Sequence, residues 1–199
     1  MPRLLTLSFT PEGVVNAYRS GIFPMADSQT GTIEWYYPDP RAIIPLDGLR
    51  ISKRLARTIR SGIFEVRYDT CFETVMRACA DRLDGTWISE HFVRLYTELH
   101  RRNLAHCVET WREGQLVGGL YGVSIGSAFM GESMFHRETD ASKVALVGLV
   151  ERLNERGYSL LDTQFITPHL ASMGAVEISA VEYMEMLRAA VRRNCWFGG

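Results

Sequence analysis

Three segments decide the fold of this chain: GGLYGV at 118–123, FMGESMFHR at 129–137 and LLDTQ at 160–164. The first two lie in apolar runs separated by a turn at Gly126, which predicts consecutive antiparallel strands. The third is a short apolar run, as expected of a buried strand. Between the second and the third, Asp140 opens a segment with helical periodicity. The sequence therefore predicts a mixed sheet in which one helix connects two neighbouring strands.

Helices and a hairpin are predicted on either side of these segments. Capping residues predict helices that begin after Thr10, Thr70, Ser89 and Ser179. Helical spacing predicts another helix over residues 52–61, and residues 106–125 predict the hairpin. This order gives an α+β fold, a mixed sheet flanked by helices, and it resembles the GCN5-related N-acetyltransferase (GNAT) fold. Prolines concentrate in residues 22–48, which predicts irregular or short-stranded chain. We therefore expect a small N-terminal domain over residues 1–48 and a GNAT-like domain over residues 49–199.

Polar side chains recur in these strands at a spacing of two residues. Residues two apart on a strand point to the same face, so Asp162 and Gln164 are expected to project together from the sheet. By the same rule, Glu132 is expected to share its face with Met130 and Met134. A carboxylate among thioethers needs a cationic or N–H partner, which a substrate can supply. This tract is therefore the predicted functional site.

The composition is that of an ordinary globular protein, with 46% hydrophobic residues and a formal net charge of −1. A nucleic-acid partner would have to be held by a local basic surface, because no overall positive charge attracts it. The 4 cysteines and 5 histidines show no metal-binding spacing, so neither a metal site nor a redox dithiol is expected. No apolar run is long enough for a signal peptide or a membrane span, which predicts a cytosolic, cytoplasmic protein with no membrane partner.

Two further motifs, WYYPDPR at 35–41 and AYRSGIFPM at 17–25, carry a resemblance to a known family. Together with residues 118–164, they resemble the leucyl/phenylalanyl-tRNA–protein transferase family over most of the chain. The resemblance implies transfer of Leu or Phe, with Met as a further candidate, from aminoacyl-tRNA to the N-terminal amine of acceptor proteins that begin with Arg or Lys. It also implies that the modified proteins enter N-end rule degradation, and that no metal and no organic cofactor is needed.

The resemblance assigns the chemistry to three polar residues. It implies a proton relay by Asp162 and Gln164, in which Gln164 accepts a hydrogen bond from the incoming amine and Asp162 polarises the Gln164 amide. Positioning alone can suffice, because an α-amino group with a pKa of about 7.7–8.0 is partly neutral at physiological pH. Glu132 matches a residue of the substrate pocket and would pair with the aminoacyl amine or with a basic acceptor side chain. The non-catalytic alternative for Asp162 and Gln164 is a hydrogen-bonding pair at the end of the strand. The non-catalytic alternative for Glu132 is an ion pair with Arg137.

An apolar pocket for the aminoacyl side chain is implied at Leu120, Phe129 and Met134, with Met130 and Phe135 as neighbours. Flexible thioethers would let one cavity accept both Leu and Phe. Such a pocket separates substrates by only ~1–3 kcal/mol per methylene, so it selects a shape class rather than one amino acid. The alternative is that these side chains belong to the hydrophobic core, as Met and Phe on strands usually do.

Three aromatic residues, Trp35, Tyr36 and Trp87, are candidates for stacking on the terminal adenosine of the tRNA or on the aminoacyl ring. Aromatic faces bind bases without reading their sequence, which suits an end shared by all tRNAs. At position 36 the family more usually has tryptophan, and tyrosine retains a ring that can stack. The alternative is that each is an ordinary aromatic residue at the core boundary.

A basic helix is predicted over residues 52–61, with an apolar stripe of Ile51, Leu55 and Ile59. Its positive residues are Lys53, Arg54, Arg57 and Arg60, with Arg50 just before it. No acid interrupts them before Glu65, which favours contact with tRNA phosphates. The family also has a basic patch here. A solvated charged face is the alternative.

Two other functions are considered. An acyl-CoA-dependent N-acetyltransferase would share the fold, but it needs a glycine-rich pyrophosphate loop at the start of the crossover helix. Residues 136–141 contain no glycine and include Glu138 and Asp140. A non-catalytic RNA-binding module would explain the basic helix and the aromatic residues, but it leaves Glu132, Asp162 and Gln164 without a role.

Overall fold

The computed structural model describes residues 7–27, 30–82 and 85–198. Its helices are α1 (Pro11–Arg19), α2 (Lys53–Arg60), α3 (Phe72–Ala80), α4 (Glu90–Arg101), α5 (Ala141–Glu155), α6 (Pro168–Ser172) and α7 (Ala180–Ala190). Its strands are β1 (Phe23–Ala26), β2 (Ile33–Tyr36), β3 (Arg41–Ile43), β4 (Glu65–Tyr68), β5 (Ala105–Arg112), β6 (Gln115–Ile125), β7 (Ala128–His136), β8 (Leu160–Gln164) and β9 (Val176–Ile178). The expectation about a signal peptide concerns mainly residues 1–6, which lie outside the described ranges. Within those ranges, no helix has the length and apolar character required to cross a bilayer.

Seven strands form one sheet in the order β4-β5-β6-β7-β8-β3-β9. β7 and β8 are parallel, and the chain between them contains the crossover helix α5. The other neighbouring strands are antiparallel. β1 and β2 form a separate antiparallel hairpin. The predicted α+β architecture with a mixed sheet and one crossover helix is confirmed.

Each face of the sheet is covered by helices and carries its own hydrophobic cluster. Residues of α1, α3, α4 and α7 form the first cluster, which includes Tyr18, Tyr96 and Tyr183. Residues of α2 and α5 form the second, which includes Leu55 and Leu153. Burying one such leucine contributes about 1.5–3 kcal/mol to folding. These two layers fix β7 and β8, the strands that carry the predicted site.

The crossover helix α5 packs very closely on β6. A Cβ added to Gly118 would lie 2.6 Å from the Cβ of Ala141, and 2.8 Å from its carbonyl carbon. A side chain at position 118 would therefore push the start of α5 away from the sheet. The first glycine of the segment quoted at the start, Gly118, is needed for this contact.

Three predicted helix starts are confirmed by their caps. The side-chain oxygens of Thr10, Ser52 and Ser179 each accept a hydrogen bond from a backbone N–H in the first turn of α1, α2 and α7. Each bond satisfies an N–H that has no partner within its helix. These ends could be predicted because capping and helical spacing both depend on residues that are close in sequence.

The helix cap predicted at Thr70 is wrong. α3 begins at Phe72 with Cys71 at its cap, and the Cys71 side chain makes no capping hydrogen bond within the described residues. The hydroxyl and the backbone N–H of Thr70 are instead bound by the carboxylate of Glu109 on β5, which also accepts the Cys71 N–H. A buried carboxylate distant in sequence has replaced the local cap. The strands β4 and β9 and the helix α6 were also not predicted.

A β-bulge interrupts β7 at Glu132. Tyr121 of β6 pairs with Ser133 and Gly122 pairs with Gly131, so Glu132 is the extra residue. The alternation of faces shifts there: Met130 lies in the first cluster, whereas Met134 packs against the second. The prediction that Met130 and Met134 share a face is wrong, because a period of two holds only for an unbroken strand.

The N-terminal segment contributes to the main sheet. β3, which precedes the expected boundary near Gly48, lies between β8 and β9. The division into residues 1–48 and 49–199 stays a proposal, and any such N-terminal unit shares a strand with the larger domain.

Candidate active site

A cavity of about 450 Å³ opens where β7 and β8 separate. The two strands pair only from Ala128–Met130 to Leu160–Asp162, and β7 continues beyond the last pair. The apolar side chains of the wall are Met25, Trp87, Leu120, Met134, Leu146, Leu149, Leu161, Phe165 and Leu170. The polar ones are Arg82, Tyr121, Glu132, Ser133, Thr163, Gln164, Thr167 and His169. The gap between parallel strands is thus a mostly apolar pocket with polar groups at defined places.

The bulge places Glu132 on the cavity wall. Its Oε1 accepts hydrogen bonds from the Tyr18 hydroxyl at 2.6 Å and from Gln164 Nε2 at 2.9 Å. Its Oε2 is buried and has no hydrogen-bond partner within residues 7–27, 30–82 and 85–198. Burial raises the pKa of Glu132 to about 8, although the bond from Tyr18 lowers it in part. The alternative of an ion pair between Glu132 and Arg137 is not found in this part of the chain, since Arg137 donates to the Leu116 carbonyl.

Two buried phenols support Glu132 from the helical layer. Tyr18 of α1 and Tyr96 of α4 have hydroxyl oxygens 2.6 Å apart, and both residues are at most 1% exposed. Burial, followed by the charge of Glu132, raises the pKa of both phenols well above the ordinary value. Both therefore stay protonated. Because Tyr18 donates to Glu132, its oxygen accepts from Tyr96, which makes a directed chain of hydrogen bonds ending at the carboxylate.

Gln164 ends β8 in a left-handed backbone conformation, with φ at 66°. Its backbone N–H donates to Asp162 Oδ1 at 2.8 Å, and its side chain reaches Glu132. A non-glycine residue rarely adopts a positive φ, so this conformation needs support from its surroundings. The turn at Gln164 brings its carboxamide onto the cavity wall.

Asp162 lies behind the cavity rather than on its wall. It is 0% exposed, and its carboxylate accepts from Arg41 Nε at 2.9 Å, Arg41 Nη2 at 2.6 Å and the Tyr183 hydroxyl at 2.8 Å, besides the Gln164 N–H. The structure therefore differs from the expectation that Asp162 and Gln164 project together. The side chains of Asp162 and Gln164 point in different directions because the backbone of Gln164 is not extended. Asp162 contacts the backbone of Gln164 and not its carboxamide.

Further polar atoms on the cavity wall are buried without a hydrogen-bond partner in the described residues. They are the hydroxyls of Tyr121 and Thr163 and the Nε2 of His169. Burial lowers the pKa of His169, which favours the neutral imidazole. Buried polar groups in folded proteins are nearly always bonded, so unpartnered atoms that face a cavity suggest contact with a ligand or water.

The pocket predicted for the aminoacyl side chain coincides in part with this cavity. Leu120 and Met134 line it, whereas Phe129 does not. Phe129 is fully buried in the second cluster and stacks on Phe197 with the ring centres 5.5 Å apart. Three leucines complete the apolar end of the cavity: Leu146 and Leu149 of α5, and Leu161 of β8.

The comparisons with known proteins decide the family. A family model described as leucyl/phenylalanyl-tRNA protein transferase matches residues 43–188, and the model of the N-terminal domain of the same transferase matches residues 8–39. The chain belongs to the leucyl/phenylalanyl-tRNA–protein transferase family. The resemblance seen in the motifs is thereby confirmed, and the chain is an enzyme of this transferase family.

Relatives with this name match nearly the whole chain. The leucyl/phenylalanyl-tRNA–protein transferase of Gloeobacter violaceus is 53% identical over 193 residues, which cover 97% of this chain and 100% of the relative. The transferase of Rubrobacter xylanophilus is 57% identical over 187 residues, which cover 94% of this chain and 97% of the relative. The family assignment thus rests on matches along nearly the full length of both chains.

Solved structures show a weaker likeness. L-PGS from Bacillus licheniformis is 13% identical with a TM-score of 0.49, and the match covers 92% of this chain and 71% of that one. A GCN5-related N-acetyltransferase-like protein from Streptococcus suis is 14% identical with a TM-score of 0.39, over 84% of this chain and 64% of that one. The assignment to the transferase family does not depend on them.

The predicted stacking aromatics are separated by the structure. Trp87 lines the cavity, but Trp35 and Tyr36 do not. Trp35 packs against the first hydrophobic cluster, and the Tyr36 hydroxyl donates to Glu34 at 2.5 Å. Met25, from the second family motif, lies on the wall instead.

The basic helix of the family patch is α2. Its four positive side chains, Lys53, Arg54, Arg57 and Arg60, are exposed, and Leu55 is buried in the second cluster. Arg54 Nη2 donates to Asp140 Oδ1 at 2.7 Å, directly before α5. Asp140 thus takes up part of the charge of this helix. Near it, Glu138 binds Arg112 at 2.7 Å.

Three residues away from the cavity are close enough together to hold a metal ion. One ligand atom each from Asp69, His100 and His106 lies within 4.8 Å of the others. His106 Nδ1 is 2.7 Å from Asp69 Oδ2, His100 Nδ1 is 2.8 Å from the Ala105 carbonyl, and Asp69 also accepts the Cys107 N–H. These groups already satisfy one another, so the cluster is explained as a hydrogen-bond network.

Several residues of the site were missed by the sequence analysis. Tyr18 and Arg41 bind the two carboxylates from α1 and β3, and both lie inside the motifs that carried the family resemblance. Their location inside these motifs was the one feature of the sequence that could have indicated a role in the site. Tyr96 and Tyr183 gave none, because they occur in ordinary amphipathic helices.

Proposed function

We propose that this enzyme transfers leucine or phenylalanine, and also methionine, from aminoacyl-tRNA to the N-terminal amine of proteins that begin with Arg or Lys. We further propose that it acts in the cytoplasm, where aminoacyl-tRNA is made, and that the modified proteins are degraded by the N-end rule. The observation that carries the proposal is the apolar cavity of about 450 Å³, whose wall includes the carboxamide of Gln164 and the Oε2 of Glu132, an atom without a hydrogen-bond partner in the part of the chain that the structure describes. Family membership supports the transfer reaction.

The cavity suits an aminoacyl side chain of intermediate size. Leu120, Met134 and the three leucines from α5 and β8 offer aliphatic and thioether contacts, which adapt to a branched chain or to a ring. The neutral His169 adds no charge to this wall. A pocket of this kind accepts Leu, Phe and Met and rejects charged or strongly polar side chains, since these would lose hydration without a partner.

The reaction is aminolysis of an ester. The neutral N-terminal amine attacks the ester carbonyl, the C–N bond forms, and the C–O bond to the tRNA ribose breaks as a proton passes from the nitrogen to the leaving oxygen. About a fifth to a third of α-amino groups are already neutral near pH 7.4. The enzyme therefore has to orient the amine and stabilise the tetrahedral oxyanion, and a strong base is not required.

The cavity wall offers a group for each task. The Gln164 carboxamide oxygen can accept a hydrogen bond from the nucleophilic amine. The buried hydroxyls of Tyr121 and Thr163 can donate to an oxyanion. Glu132 Oε2 can bind an ammonium group, either that of the bound aminoacyl ester or that of the acceptor, and a cation there would draw the Glu132 pKa below its free value of about 8.

The test is transfer of radiolabelled leucine from leucyl-tRNA to a peptide that begins with arginine. Parallel reactions use the same peptide with an acetylated N-terminus, a peptide beginning with alanine, and acetyl-CoA in place of leucyl-tRNA. Leucine incorporation that needs the free amine and the basic first residue is the expected result. Acetyl transfer without leucyl transfer would replace this proposal by the acetyltransferase alternative, and equal labelling of both free peptides would remove the acceptor preference.

A further inference from the structure

Arg41 of β3 is a buried cation with no direct access to the cavity. It is 1% exposed, and it forms a two-bond fork with Asp162 through Nε and Nη2. Its Nη1 donates to the Gly21 carbonyl at 3.0 Å. The rings of Phe23 and Tyr183 flank the guanidinium at 4.8 and 4.4 Å. Every direction around this group is occupied by protein.

Folding stability alone does not account for this ion pair. Removing two charges from water is costly, and an apolar pair of the same volume is often equally stable or more so. Burial by itself would lower the pKa of the Arg41 guanidinium, but the bonds and the charge of Asp162 raise it above its ordinary value. The pair is therefore charged, oriented and rigid, and its position beside the cavity suggests a role in the geometry of the site.

The rigid ion pair determines the backbone geometry of Gln164. Asp162 Oδ1 accepts both Arg41 Nε and the backbone N–H of Gln164. The fork holds the carboxylate plane, and the carboxylate in turn holds the N–H of a residue at a positive φ. If the plane rotated, Gln164 would lose the bond that supports its left-handed conformation. Its carboxamide would then leave Glu132.

We propose that Arg41 is a positioning residue of the transfer reaction, which acts through Asp162 to fix the backbone and the carboxamide of Gln164 against Glu132. It touches neither substrate. The inference rests on the proposed function for its kinetic consequence only, because the effect on the Gln164 backbone exists without a substrate.

The experiment compares Arg41→Lys with wild type, alone and combined with Gln164→Ala. Lysine keeps the charge but lacks the planar fork. Arg41→Lys is expected to lower kcat for leucyl transfer roughly 10- to 100-fold, with KM for leucyl-tRNA within about twofold, as for a displaced reacting group. In the Gln164→Ala background the same change is expected to cost less than about twofold, since the group it positions is gone. Exchange of the Gln164 backbone N–H should become roughly tenfold faster in Arg41→Lys.

Tyr158→Phe is the matched control, because it removes a buried hydrogen bond, to Ser124 at 2.6 Å, from a side chain that does not line the cavity. It should leave kcat and the Gln164 exchange rate unchanged. Equal losses from Arg41→Lys in both backgrounds, or an unchanged Gln164 exchange rate, would overturn the inference. Inactivity of the wild type towards leucyl-tRNA would instead overturn the proposed function.

Tyr183→Phe tests the same positioning role if Arg41→Lys does not fold. It removes only the hydroxyl that donates to Asp162 Oδ2 and keeps both charges. A several-fold loss of kcat that disappears in the Gln164→Ala background is expected. Full activity of Tyr183→Phe would contradict the positioning role of this cluster.

Discussion

The carboxamide of Gln164 donates from Nε2 to Glu132 Oε1 across 2.9 Å. The two residues occupy equivalent places on parallel strands, because each lies two positions beyond the last paired residues, Met130 and Asp162. Both strands depart from regular geometry there, β7 by a bulge and β8 by a positive φ. The amide nitrogen is committed to Glu132. The carboxamide oxygen, the acceptor in the same planar group, is left for the incoming amine.

Replacing Gln164 by alanine is expected to lower kcat for leucyl transfer on the order of 100-fold, the usual effect of losing one oriented polar contact in a transition state. KM for leucyl-tRNA should change little, since the apolar wall and α2 are intact. Steady-state kinetics with a peptide that begins with arginine measure both constants. A large rise in KM at constant kcat would show that Gln164 contributes to binding alone.

Protonation of Glu132 is expected to make stability depend on pH. The folded protein holds this proton up to a pKa of about 8, whereas the unfolded chain releases it near 4.5, so the folded state binds more protons between these values. Its stabilising contribution is complete below pH 4.5 and is lost as the pH rises towards 8. The slope approaches about −1.4 kcal/mol per pH unit inside the window. Urea unfolding of wild type and Glu132→Gln at pH 5, 6, 7 and about 8 measures this slope of unfolding free energy against pH.

Glu132→Gln is the informative comparison because it keeps the shape and cannot ionise. The free energy of unfolding of Glu132→Gln should increase relative to that of wild type as the pH rises. Tyr121→Phe, which alters an unpartnered hydroxyl on the same wall, should retain the wild-type slope. Parallel pH curves for wild type and Glu132→Gln would place the Glu132 pKa near its ordinary value.

The fold was predictable where its signals are local. The helix starts at Thr10, Ser52 and Ser179, the hairpin and the crossover helix follow from residues near one another in sequence, and the structure confirms them. The bulge at Glu132 was not predictable, because it is set by the pairing of Tyr121 and Gly122 on the neighbouring strand. One inserted residue then reversed the face expected for Met134.

The polar site could be predicted only in part. Glu132 and Gln164 were recognised from their strand positions and from the family resemblance. Their partners lie far away in sequence: Tyr18 is 114 residues from Glu132, and Arg41 is 121 residues from Asp162. No periodicity connects residues at such distances. A motif can mark Tyr18 and Arg41 as important, but only the folded chain shows which carboxylate each one binds.

Enlarging the cavity is expected to change the preference between donors. Met134→Ala removes a thioether from the wall, which should favour phenylalanine over leucine by roughly 10-fold in the ratio of kcat/KM values. Phe129→Leu is the control, because this residue is buried behind the wall, against Phe197. Competition between phenylalanyl-tRNA and leucyl-tRNA gives the ratio directly. A shift caused by Phe129→Leu as large as that of Met134→Ala would mean that the pocket is not the one described.

The basic surface of α2 gives the last prediction. Arg57 and Arg60 are exposed, whereas Arg54 also binds Asp140. Replacing Arg57 and Arg60 by glutamine should therefore weaken tRNA binding and reduce the slope of log Kd against log salt by about two, one for each lost phosphate contact. Arg54→Gln should have a smaller effect, since part of its charge is already neutralised.

The control for the salt experiment is a pair of arginines on another helix. Arg94 and Arg101 of α4 are also exposed, although Arg101 lies 3.6 Å from Glu98, and their replacement by glutamine changes the net charge by the same amount. If α2 contacts the phosphates, the α4 pair leaves the salt slope unchanged although it lowers the overall attraction slightly. Equal reductions by both pairs would show that tRNA responds to the net charge of the protein, and α2 would then be an ordinary solvated helix face.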